Sequence, residues 1–80
     1  MEKVNDRVTR YYTCDHPDFF VEVVKKGSGR GSEYEAWLGK AGSGVMDFMF
    51  GLIPHSEQEF LDIVEANLDE YVSMWDIDHV

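Results

Sequence analysis

From Phe19 to Lys25 (FFVEVVK) the side chains alternate, with Phe19, Val21 and Val23 on one face and Phe20, Glu22 and Val24 on the other. That period of two predicts a strand. Glu33 to Gly39 (EYEAWLG) alternates in the same way, placing Tyr34, Ala36 and Leu38 inward and Glu33, Glu35 and Trp37 outward. Val45 to Ile53 (VMDFMFGLI) predicts a further strand, with Met46, Phe48 and Phe50 inward and Val45, Asp47 and Met49 outward. Gly51 marks a bend or bulge there, and Pro54 ends the run. Arg7 to Thr13 (RVTRYYT), rich in β-branched and aromatic residues, adds a first strand. Turn formers separate these stretches: Cys14 to Asp18, the glycine-rich Lys26 to Ser32, and Ala41 to Gly44.

After Pro54 the period changes. Phe60, Leu61, Val64, Leu68, Tyr71, Val72 and Trp75 recur at helical spacing within one arc of about 120°. Ser56 and Glu59 form a capping box, so the helix carries its own start signal. Glu57 and Glu59 lie in the first turn, where the positive end of the helix dipole favours anions. The expected fold is therefore α+β: a three- or four-stranded antiparallel sheet packed on one face by a single long C-terminal amphipathic helix, a two-layer sandwich. One domain spans residues 1–80, with 1–6 and 76–80 expected to fray.

Charge changes this picture most. Residues 1–40 hold seven basic and seven acidic side chains, whereas residues 41–80 hold nine acidic and no basic ones, so the second half carries the whole net charge of −9. On the helix, Asp62, Glu65, Asp69 and Asp76 fall opposite the apolar arc, with Glu59 and Glu70 beside them. Glu65 and Asp69 are like charges four apart, and Asp62 and Glu65 three apart, each pair costing about 0.2–0.5 kcal/mol. Helix stability alone would place Lys among them; solubility or binding explains their absence. That field disfavours direct contact with nucleic acid and with anionic membranes, and favours a partner with a basic surface.

The remaining composition narrows the class further. Eighty residues make a domain of marginal stability, of order 5 kcal/mol, which five Phe, four Tyr and two Trp help to support. The single Cys14 excludes an intrachain disulfide and a cysteine-based zinc site. The charged Met1 to Arg10 has no apolar stretch after it, unlike a secretory leader, and no run approaches the length of a membrane span. A cytoplasmic protein is expected.

Candidate chemistry is sparse. Gly27-Ser28-Gly29-Arg30-Gly31 lacks the spacing of a phosphate-binding loop and precedes a strand rather than a helix, so a hairpin loop is expected. Cys14, Asp15, His16 and Asp18 sit too close in one turn to surround a metal, and Asp76 and Asp78 lack the glycine and closing Glu of a calcium loop. His55 and His79 read as linker and tail residues. No enzyme activity, cofactor or metal is expected.

Two binding surfaces remain. The first is the acidic helix face (Asp62, Glu65, Asp69, Glu70 and Asp76), a negative rod suited to a basic groove that otherwise takes nucleic acid. In type it resembles small acidic phage inhibitors, including many anti-CRISPR proteins. The second is the outer sheet face, where Trp37 stands between Glu33 and Glu35, with Phe20, Val24, Val45 and Met49 as neighbours. A partner, a homodimer, or the segment with Tyr11 and Tyr12 would cover it. The strand-strand-strand-helix order resembles the small partial RNase H-like domain of HicB-type antitoxins, without that family's proline-glycine turn. It implies an antitoxin-like or regulatory adaptor as the alternative.

Overall fold

The computed structural model describes the backbone of residues 2–27 and 33–78. Five strands run in chain order as an antiparallel meander: β1 (Glu2–Lys3), β2 (Val8–Tyr12), β3 (Phe19–Lys25), β4 (Tyr34–Lys40) and β5 (Met46–Leu52). One helix, α1 (Glu57–Asp78), packs on one face. The α+β sandwich is as expected, with one strand beyond the expected number. The extra strand is β1: two polar residues that backbone pairing to Thr9 and Arg10 holds in place, where fraying was expected.

The connections follow local chemistry. Asn5 Oδ1 accepts from the amides of Arg7 and Val8 before β2. Between β2 and β3, Phe19 N–H donates to the His16 carbonyl across Pro17 at 2.9 Å. The β4–β5 turn places Gly42 and Gly44 at φ of 82° and 70°, where a side chain would be strained. Ser43 Oγ closes that turn by donating to the Lys40 carbonyl at 2.8 Å and accepting from Val45 N–H at 3.1 Å. At the start of α1, Ser56 Oγ accepts from Glu59 N–H at 3.1 Å, as the capping pattern requires. The C-terminal end differs from expectation. Asp76 to Asp78 continue the helix, because Trp75 is buried against Phe19 and anchors the last turn.

The core joins Val21 and Val23, Tyr34, Ala36 and Leu38, and Met49 to Phe60, Val64, Leu68 and Trp75. The inward faces of β3 and β4 are as their alternation predicts. On β5 the expectation fails. Ala36 lies opposite Phe50 but Trp37 lies opposite Phe48, so a β-bulge leaves Met49 without an opposite residue. One added residue reverses the faces of everything before it. Met49 is therefore buried, Asp47 comes opposite the inward Leu38, and Phe48 and Met46 move to the outer face. Gly51, where the bulge was expected, pairs regularly with Glu35.

Candidate functional site

The helix presents the acidic surface. Asp62, Glu65, Asp69, Glu70 and Asp76 are all exposed, and Glu59 is half-buried. Among the described residues, the ion pairs of Lys and Arg join Lys3 to Asp6, Arg10 to Glu22 and Lys26 to Glu35, all within the first forty residues. Among the described residues, no Lys or Arg reaches a carboxylate of α1. From Asp62 to Asp76 the helix rises about 21 Å, so four carboxylates (Asp62, Glu65, Asp69, Asp76) line one side of a stiff rod.

Two long-range contacts fix which way that rod is turned. His16 Nε2 meets Asp69 Oδ1 at 2.5 Å, and Tyr11 O–H donates to Glu57 Oε1 at 3.5 Å. The acidic stripe thus faces the β2 flank of the molecule. On the other side of the axis, Tyr71 O–H donates to the Met49 carbonyl of β5 at 3.2 Å. Asp69 remains 88% exposed despite its histidine partner, so it stays open to a further ligand. Neither long-range contact has a sequence signature, because the partners lie 53 and 46 residues apart.

Tyr11 titrates abnormally. Burial first, and the negative charge of Glu57 second, hold its phenol above the ordinary value of 10.0. The folded pKa exceeds the unfolded one, so the neutral phenol's contribution is complete below about pH 10 and is lost as pH rises through the folded value. Tyr11→Phe should therefore flatten the fall of stability above about pH 10, measured by urea titration at successive pH values. An unchanged alkaline slope would assign that fall to other groups.

Among the described residues, no segment covers the outer sheet face. The segment with Tyr11 and Tyr12 is strand β2, with Tyr12 on the outer face opposite Phe20 and Tyr11 on the helix side opposite Val21. Tyr12 and Phe20 lie 6.1 Å apart, and Trp37 and Phe48 meet edge to face at 5.3 Å. Arg10 Cζ stands 4.2 Å above the Phe20 ring and its guanidinium bonds Glu22 at 3.2 Å. The far end of the Phe20 ring reaches over Gly39, where a Cβ would clash with it. Phe48 and Tyr12 are 50% and 55% exposed.

Trp37 is half-buried rather than prominent, and its indole N–H donates to Glu35 Oε1 at 3.3 Å. Glu35 in turn holds Lys26 at 3.3 Å, so this carboxylate is already committed. Glu33 is exposed ahead of β4, with its Oε1 3.7 Å from where a Cβ on Gly51 would stand. Val24 stays on this face opposite Glu35, while Val45 is exposed just before β5. Phe48 and Met46 replace the expected Met49 and Asp47. The turn residues also separate: Cys14 is exposed, while His16 turns to α1. Residues 28–32 of the glycine-rich stretch and His79 lie outside the described residues.

No helix among the described residues is long and apolar enough to cross a membrane. Comparison with protein-family models, curated proteins and solved structures gives no significant match.

Proposed function

We propose that this is a non-enzymatic, cytoplasmic binding protein whose acidic helix face occupies a basic surface of a protein partner, one that otherwise engages nucleic acid. The observation that carries it is the exposed row of Asp62, Glu65, Asp69 and Asp76 on a rigid helix with no cation of its own. Carboxylates so placed present repeated negative charge without bases or sugars, as an inhibitor of the nucleic-acid-mimic type requires. Their mutual repulsion costs stability, which a partner's Lys and Arg would repay on binding. Glu70 stands beside the row and extends it.

A second reading has its own support. The uncovered aromatic face around Trp37 and Phe48 suits an adaptor that binds through its sheet, or a homodimer. Tagged wild-type protein, the Asp62→Asn/Glu65→Gln/Asp69→Asn/Glu70→Gln variant and Trp37→Ala separate the two in a pull-down from host lysate. Loss of the same partner in the fourfold variant alone supports the acidic face. Loss in Trp37→Ala alone transfers the function to the sheet.

A further inference from the structure

Beside the acidic row the fold leaves an apolar groove. Phe60 stacks on Tyr34 and meets Phe50 at a tilt, and Tyr71 packs on Phe50, so α1 leans over β4 and β5. On the opposite flank β1 pairs only with Thr9 and Arg10, and β2 runs on to Tyr12 without a neighbour on that side. Between α1 and β2 a cavity of about 420 Å³ opens. Half-buried Tyr11 and Leu61 supply most of its apolar surface, on the strand side and the helix side, with the buried Val21, Val23, Val64 and Leu68 closing its base. Its size lies in the range of ligand-binding clefts. Along α1 it runs from Gln58 to Leu68, about 15 Å or nearly three turns.

The charges around it select the occupant. Asp15 and Glu65 stand on its rim, and Glu57 and Asp69 are held on the same flank by Tyr11 and His16. A polyanion is repelled, and a neutral apolar ligand leaves the carboxylates unused. A segment with apolar side chains flanked by Lys or Arg satisfies both the floor and the rim. We propose that this groove takes the apolar anchors of a basic amphipathic helix on the protein partner, with that helix's cations meeting Glu65, Asp69 and Asp62. The proposal rests on the acidic-face reading and adds to it a hydrophobic anchor site.

Two synthetic peptides of about 18 residues, long enough to form a helix, provide the test. Both carry Lys along one helical face; the other face is Leu in one and Ser in the other. Cys14, exposed on the groove rim and the chain's single cysteine, reports occupancy through its rate of alkylation by iodoacetamide. The Lys–Leu peptide is expected to bind at least about tenfold tighter than the Lys–Ser peptide and to slow alkylation of Cys14 about tenfold. Gln58→Trp, at an exposed position on the groove, should fill it and abolish the difference while leaving the carboxylates in place. Equal affinities, with Cys14 alkylated at its free rate, would overturn the anchor site and leave the acidic face standing. Binding of neither peptide would overturn both.

Discussion

Phe60→Ala is expected to remove most of the protein's stability at room temperature and leave an appreciable unfolded fraction. Phe60 is fully buried and meets Tyr34 and Phe50 at ring-centroid distances of 5.5 Å each, so it joins α1 to β4 and β5 at once. Truncating a buried Phe costs about 3–5 kcal/mol through lost transfer energy and the cavity left behind. A domain of this size holds of order 5 kcal/mol in total, so little would remain. Urea titration followed by circular dichroism measures the change directly. A loss below about 1 kcal/mol would mean that α1 does not depend on this contact for its place on the sheet.

The second large effect falls on binding, with the fold preserved. Replacing Asp62, Glu65, Asp69 and Glu70 by their amides removes four charges and keeps the side-chain shapes. Exposed ion pairs are worth up to about 1 kcal/mol each, so four contacts with a basic surface amount to about 3 kcal/mol, or two orders of magnitude in affinity. Stability should hold within a few tenths of a kcal/mol: the like charges at Asp62, Glu65 and Asp69 no longer repel, while the amide oxygens keep the acceptors that Gln58 and His16 meet at positions 62 and 69. A variant that loses both binding and its thermal transition would show that these residues serve the fold.

Most of the architecture was legible because local patterns agree with the final packing. Val21, Val23, Tyr34, Ala36 and Leu38 alternate without interruption, and their strands pair in the register the pattern implies. Ser56 and Phe60 to Trp75 specify the helix start and its buried stripe in the same way. In β5 the pattern is silent. Met46, Phe48, Met49 and Phe50 put apolar side chains at both parities, so either face can turn inward and only the bulge opposite Ala36 and Trp37 decides. Strand β1 had no hydrophobic signal at all, since Glu2 and Lys3 are held by backbone pairing.

The acidic face was legible as a periodicity, and its residues are exposed as expected. Its orientation was not. The contacts of His16 with Asp69 and of Tyr11 with Glu57 place the carboxylates beside the groove over β2 rather than at the helix summit. That placement follows from α1 leaning toward β5, a tertiary fact that no local window contains. Trp37 was legible as an outward aromatic, but its pairing with Phe48 required the bulge.

On the proposed reading, the helix competes for a surface that nucleic acid occupies. The direct measurement is a competition assay: the captured partner is bound to labelled nucleic acid, and the protein is titrated in at low and at high salt. Wild-type protein should displace the nucleic acid at low salt and lose potency steeply as salt rises, while the fourfold amide variant should not displace it. Displacement by both proteins alike, or a ternary complex that retains the nucleic acid, would contradict the acidic-face account.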